Sequence, residues 1–149
     1  MERKKAVVTG ASRGIGNGIA RCLAREGYDL AISYATKQEE AQKLANKLQE
    51  TYGGKCFCFQ ASLEKEGVGV ELLKKSVEAL GGLDLLVNNA GVTRFENILD
   101  LTPEVFDLLF HLDFKNYILM MQEAARYMVK NKVRGSLINI TSSRGERAY

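Results

Sequence analysis

The sequence predicts a doubly wound α/β fold, a parallel sheet of five strands with helices packed on its faces. Short apolar or β-branched runs alternate with helix-like segments from the first residues onward, glycines punctuate the joins, and no internal repeat or low-complexity linker breaks the alternation. Strands separated by helices pair in parallel through right-handed crossovers, so both faces of such a sheet need cover. The chain of 149 residues suits one domain, and a domain of that size buries enough surface to fold without disulfides or metal.

Each element has its own signal. Lys5 to Val8 is the first strand, followed by a glycine cluster. From Ile15, apolar residues recur at Ile19, Cys22 and Leu23, one face of a helix that ends near Gly27. Asp29 to Tyr34 is the second strand, and Ala41, Leu44, Ala45 and Leu48 mark a second helix stopped by Gly53-Gly54. Lys55 to Gln60 is the third strand; Val70, Leu73, Val77 and Leu80 give a third helix stopped by Gly81-Gly82; Leu83 to Val87 is the fourth strand. Thr102-Pro103-Glu104 opens a helix with Thr as N-cap, Pro at N1 and a carboxylate near the positive end of the dipole. That helix is expected to run unbroken to about Lys130, before a fifth strand from Leu137 to Thr141. Its residues Leu108, Leu109, Phe110, Leu112, Phe114, Tyr117, Ile118, Leu119, Met120 and Met121 surround it with apolar surface. A helix apolar all round is covered on two sides, by the sheet and by a partner helix, so a homo-oligomer through Phe110–Met121 is expected.

Composition excludes several classes. Lys and Arg number 21 against 18 Asp and Glu, a dispersed net charge of +3 that does not argue for nucleic acid. No apolar run approaches the roughly 18 residues of a membrane span, and Ala6 to Val8 is too short for a signal-peptide core. The three cysteines form no disulfide framework, and Cys56 and Cys58 point to one face of a strand as small core residues. No metal site is expected, and the compartment reads as reducing cytoplasm. The lone His111 has no pairing partner and reads as structural or surface.

The segment Thr9-Gly10-Ala11-Ser12-Arg13-Gly14-Ile15-Gly16 joins the first strand to the first helix. A tight strand-to-helix turn needs a residue without Cβ, and further glycines let backbone N–H groups approach an anion at the positive end of the helix. The spacing is neither the commonest G-x-G-x-x-G fingerprint nor a P-loop, which would require a following lysine.

This loop resembles the T-G-x-x-x-G-x-G segment of the short-chain dehydrogenase/reductase family. Asn88-Asn89-Ala90-Gly91 after the fourth strand and Ile138-Asn139-Ile140-Thr141-Ser142-Ser143 at the fifth resemble two more of its signatures, in the family's order. Within the family, the likeness is to the 3-oxoacyl-carrier-protein reductase branch. The resemblance implies a Rossmann-type fold and an oxidoreductase moving hydride between a nicotinamide cofactor and a small-molecule carbonyl or alcohol substrate. It assigns to the cofactor Gly10, Ser12, Arg13, Gly14, Ile15 and Gly16, then Tyr34, then Ser62 and Leu63, and finally Asn89, Ala90 and Gly91. Asn88 reads as a structural turn residue. Ser142 matches the serine that hydrogen-bonds the substrate oxygen, and Asp113 stands where the family has a helix asparagine in its proton relay.

NADP is the expected cofactor. An NAD enzyme generally places an acid at the end of strand two, where it repels a 2′-phosphate; here that position is Tyr34, followed by Ala35, Thr36 and Lys37. Arg13 in the loop can reach the phosphate bidentately.

Three departures matter. Tyr149 follows Ser142 by only seven residues, with no lysine beyond it, whereas the family's catalytic tyrosine lies roughly a dozen residues beyond the serine and its lysine four further on. Tyr149 is therefore not read as that tyrosine. The family's Asp after strand three is Ser62, and its helix asparagine is Asp113. Ending at strand five also leaves Leu137, Ile138 and Ile140 on a bare edge. The chain is thus expected to be the N-terminal part of a longer reductase, with residues 1–149 inactive alone. The alternative is a catalytically inactive NADP(H)-binding or interaction module.

Overall fold

A computed structural model describes residues 2–94 and 97–142. Strands β1 (Lys5–Val8), β2 (Asp29–Tyr34), β3 (Cys56–Gln60), β4 (Leu85–Asn88) and β5 (Ser136–Asn139) form one sheet in the order β3-β2-β1-β4-β5. Every neighbouring pair is parallel. Helices α1 (Gly14–Arg25), α2 (Gln38–Tyr52) and α3 (Val68–Leu80) follow the first three strands. After β4 come α4 (Pro103–Phe110), a π-helical turn (His111–Lys115) and α5 (Asn116–Lys130).

The central strand β1, buried from Ala6 to Val8, alternates its side chains between two cores. Ala6 and Val8 pack with Leu30, Ile32, Leu44, Leu48 and Val87 on the α1/α2 side. Val7 packs with Ala31, Leu73, Leu86, Met120 and Met128 on the α3/α5 side. This is the two-faced burial that makes parallel strands read as continuous apolar runs. Cys56 and Cys58 both pack on the α1/α2 side, as their spacing predicts, and burial pushes their thiols up to about 12 and about 11. Neutral thiols of this kind are inert.

The helix α1 meets the sheet with part of the face the apolar spacing predicts: Ile19 and Leu23 pack against the core, with small residues beside them. Gly16, Ala20 and Ala24 are buried, whereas Cys22 is exposed and Ile15 is 67% exposed. Small residues let the helix lie close on the sheet, which the larger side chains would prevent.

The long fourth helix is capped as expected: Thr102 Oγ1 accepts from Val105 N at 3.4 Å, with Pro103 at N1. It does not run as one α-helix. Five residues, His111–Lys115, form the π turn, a local widening that accommodates an extra residue. Beyond it, Tyr117, Met120, Ala124 and Met128 are buried, while Phe106, Phe110, Phe114 and Ile118 are exposed on another side. Phe110 sits between the other two rings, at centroid distances of 5.9 Å from Phe106 and 5.3 Å from Phe114. Asn88 also departs from expectation: it is the last residue of β4, 1% exposed, and not part of a turn. At the sheet edge, β5 leaves Leu137 and Ile138 36% and 43% exposed.

Candidate functional site

Strand order reverses between β1 and β4, since the chain moves outward from β1 to β3 and then returns to the other side of β1. In open α/β sheets, ligands bind outside the carboxyl ends of the strands at such a switch point. There the loops after β1 and β4 meet. The buried Thr9 Oγ1 accepts from Asn89 N at 2.9 Å and Ala90 N at 3.0 Å. Asn89 Nδ2 donates back to Thr9 O at 2.9 Å and Gly10 O at 3.2 Å. From the other flank, Ser33 Oγ accepts from Gly10 N at 3.2 Å and Ser33 O from Ala11 N at 2.9 Å.

Two glycines make this junction possible. A Cβ on Gly10 would stand 2.9 Å from Ala90 Cα, and its φ of +66° is left-handed. A Cβ on Gly16 would clash with Asn89 Nδ2 and lie 2.6 Å from Gly10 O. Gly16 thus seats the first turn of α1 against the loop and does not line the cleft.

The cleft has a volume of about 580 Å³. Gly10, Ser12, Arg13, Gly14, Ile15, Tyr34, Leu63, Asn89, Ala90 and Gly91 line it, so the structure brings these sequence-predicted residues together. Ser62, like Gly16, is not among its lining residues. Ser33 and Leu112 line it without having been singled out. A polar residue within the buried part of β2, next to Leu30, Ala31 and Ile32, was the available signal for Ser33. Thr36 and Lys37 extend the lining beyond β2, where Lys37 Nζ also approaches Glu40 at 3.8 Å. The acid in the lining is Glu64, from the loop after β3 and not from the end of β2.

The first turn of α1 opens on this cleft. Its N-cap, Arg13, is extended, makes no side-chain cap, and is followed by no acidic residue in the first turn. The first N–H groups of a helix have no intrahelical acceptor, and the dipole makes that end positive. An uncapped helix end, a left-handed Gly14 with open space around it and an exposed guanidinium together fit the pyrophosphate and phosphate of a dinucleotide.

The π turn reaches the rim from the other side. Asp113 Oδ1 accepts from Val92 N at 3.1 Å, and Tyr117 Oη donates to Ala90 O at 3.0 Å. Desolvation raises the Asp113 carboxyl above its ordinary value, with the Val92 amide opposing. Burial, with Asp113 adding to it, pushes the Tyr117 phenol up to about 12, so Tyr117 acts as a neutral donor holding the loop. His111 is half-buried on the same turn. Ser142 is exposed on the segment that follows β5 and is not among the cleft's lining residues. Tyr149 and Ser143 lie outside the described residues.

Asp113 has a testable signature. Its raised folded-state pKa means that the folded protein favours the protonated form, so stability falls as pH rises from the unfolded value through the folded one. Asp113→Asn keeps the acceptor for Val92 N without the charge. The variant is expected to melt with wild type below the ordinary carboxylate range and at a higher temperature at neutral pH. Identical melting at both pH values would contradict the desolvation.

Comparison with known proteins agrees with this geometry. The family model for short chain dehydrogenase matches residues 4–149. The chain is 34% identical to the 3-oxoacyl-[acyl-carrier-protein] reductase FabG of Staphylococcus epidermidis over 139 residues, covering 93% of this chain and 56% of that protein. It thus spans little more than half the length of such relatives. Acetoin dehydrogenase YohF from Salmonella typhimurium superposes with a TM-score of 0.95 at 30% identity, over 99% of this chain and 58% of that one. A short chain dehydrogenase from Burkholderia cenocepacia, solved in complex with NADP, superposes at 0.90 with 34% identity, over 98% of this chain and 58% of that one. With its glycine loop, its switch-point cleft and a family match over nearly its whole length, the chain belongs to the short-chain dehydrogenase family of oxidoreductases.

Proposed function

We propose that these residues are the cofactor-binding part of a longer, cytoplasmic, NADP(H)-dependent reductase acting on a carbonyl or alcohol substrate, of the 3-oxoacyl-thioester or small-ketone type. The carrying observation is the electrostatics of the cleft. An uncapped helix end, Arg13 and Lys37 converge on it, while β2 ends in Tyr34 and not in an acid. The relatives support the same direction, since one neighbour is described in complex with NADP and one relative as a 3-oxoacyl-[acyl-carrier-protein] reductase.

In this proposal the nicotinamide, when bound, supplies or accepts the hydride. Gly10 and Gly14 leave room for the ligand to approach the backbone, and the N–H groups of the first turn of α1 hold its pyrophosphate. Arg13 binds the 2′-phosphate. Asn89, Ala90 and Gly91 border the adenosine side, with Leu63 beside them; Ser12, Ile15, Tyr34, Ser62 and Gly16 complete or support the site. Ser142 donates a hydrogen bond to the substrate oxygen, polarising the carbonyl. Asp113 holds the Gly91–Val92 loop and takes the place of the relay residue.

The first test is turnover. The natural protein carrying these residues is expected to oxidise NADPH with an acetoacetyl thioester or a simple ketone, and residues 1–149 alone to show none. Residues 1–149 contain no Tyr-x-x-x-Lys pair after Ser142, and loss of general acid–base help costs about 10²–10⁴-fold. Turnover by residues 1–149, abolished by Ser142→Ala, would show that the site is complete within them. NADPH binding without turnover in the natural protein would favour an inactive binding module instead.

Cofactor choice is tested separately. Arg13→Ala is expected to weaken NADPH binding by ~1–3 kcal/mol, the scale of a lost charge-assisted hydrogen bond, and to leave NADH nearly unchanged. Equal losses, measured by nicotinamide fluorescence, would remove Arg13 from phosphate recognition.

We also propose that the exposed stripe of Phe106, Phe110, Phe114 and Ile118 packs against the same stripe of a second copy. Sedimentation of the natural protein is expected to give an oligomer that Phe110→Asp dissociates. A monomer at micromolar concentration before substitution would contradict this.

A further inference from the structure

We propose that Gln60 is a positioning residue that fixes the loop after β2 and so places Lys37 for the 2′-phosphate of NADP(H); this rests on the cofactor choice proposed above. Gln60 is the last residue of β3 and the register partner of Tyr34, the last residue of β2. Main-chain bonding between the two strands extends to Ala61 N, which donates to Tyr34 O at 2.9 Å. Beyond that bond the chain leaves the sheet for α2, and a side chain takes over. Gln60 Nε2 donates to Ala35 O at 3.0 Å. Neighbouring strands lie about 4.8 Å apart, a gap that a glutamine side chain spans.

This bond is not needed to satisfy the carbonyl. Ala35 is exposed, and an exposed carbonyl takes its hydrogen bond from water at no loss. What the amide adds is position. The loop runs from Tyr34 to the start of α2 at Gln38. Its two ends are held, Tyr34 by the ladder and Lys37 O by Ala41 N at 3.2 Å in the first turn of α2. Between them Ala35 and Thr36 are exposed, and the Gln60 amide ties that stretch to the sheet. Side chains alternate along a strand, so Gln60 starts from the same side of β3 as Cys56 and Cys58, the side that α2 covers. It lies where the loop must pass.

Lys37 is the residue that gains. Ala35, Thr36 and Lys37 line the cleft that Arg13 also lines. The N-terminus of α2 is no anion site in itself, because Glu39 and Glu40 stand in its first turn. An anion beside this loop is therefore met by the Lys37 ammonium, which approaches Glu40 at 3.8 Å while it remains exposed. A lysine is a point charge on a flexible stem, so where it acts depends on the backbone that carries it. A loop that holds the binding arrangement only part of the time weakens its ligand by that fraction. NADH lacks the 2′-phosphate and draws on the helix end at Gly14, not on Lys37.

The test measures NADPH and NADH binding by nicotinamide fluorescence in the natural protein and in Gln60→Leu, Lys37→Met and the two combined. Gln60→Leu keeps the side-chain size and removes the donor; Gln60 is exposed, so the core loses no contact. This variant is expected to weaken NADPH about five-fold and to leave NADH within about two-fold. On the Lys37→Met background the same substitution is expected to change NADPH by less than about two-fold, because residues acting as one unit are not additive. Amide order parameters at Ala35, Thr36 and Lys37 are expected to fall from about 0.85 towards 0.6 in Gln60→Leu. An equal loss of both cofactors, an additive loss on the Lys37→Met background, or unchanged binding and order in Gln60→Leu would each overturn the proposal. If the unsubstituted protein binds NADPH no more tightly than NADH, the cofactor choice fails on its own, and the order parameters decide the role of Gln60. A fall in Gln60→Leu then supports Gln60 as the anchor of the loop, and equal values overturn it.

Discussion

The hydroxyl of Thr9 is the point on which the cleft depends. Fully buried at the end of the central strand, it accepts two amide hydrogens, from Asn89 and Ala90. Those amides belong to the loop after β4, which has no other ladder to join, and a buried amide left unpaired would cost about 1–3 kcal/mol. Two such debts are settled by one side chain, and Asn89 returns two bonds to Thr9 and Gly10. The effect is to clamp the carboxyl ends of β1 and β4 together at the place where the sheet reverses its order. With the loops fixed there, Gly10, Gly14 and the open first turn of α1 face one cleft.

A second set of contacts ties that clamp to the helical layer. Tyr117 reaches Ala90 O and Asp113 reaches Val92 N, so the loop following β4 is held from both sides. The π turn carries Asp113 at its middle, with Tyr117 just beyond its end. A widened turn exposes different side chains to the sheet from those a continuous α-helix would. Buried Met120, Ala124 and Met128 then anchor the rest of α5 on Val7 and Leu86. The helix that shapes the rim is thus rooted in the core, while its aromatic side stays open for another surface.

Much of this was legible in the sequence because the signals were local. The apolar runs of β1 and β2 bury as they read, and Thr102-Pro103 caps where it stands. The glycine loop and Asn89–Gly91 come together because their roles lie in backbone conformation and close approach, which glycine records directly. Other features depended on geometry that no spacing encodes. The apolar face drawn through Ile15, Ile19, Cys22 and Leu23 holds at Ile19 and Leu23 but not at Ile15 and Cys22, and it missed Gly16, Ala20 and Ala24, whose burial follows from how closely α1 lies on the sheet. A π turn rotates the residues beyond it by about 100°, and in a segment apolar on every side that rotation leaves no mark in the spacing. Ser33 and Asn139 were visible as polar residues in strands, but their partners, Gly10 and Asn88, are distant in sequence and appear only once the strands pair.

The most direct test of the account is amide chemical-shift mapping of the natural protein during titration with NADPH. The clamp places the glycine loop and the loop after β4 on one cleft, so the amides of Gly10 to Gly16 and of Asn89 to Val92 are expected to shift together, saturating at the same cofactor concentration. Amides near Gly53 and Lys130, at the far ends of α2 and α5, are expected to stay in place. Shifts confined to one of the two loops, or saturating separately, would contradict a single dinucleotide site built at the switch point.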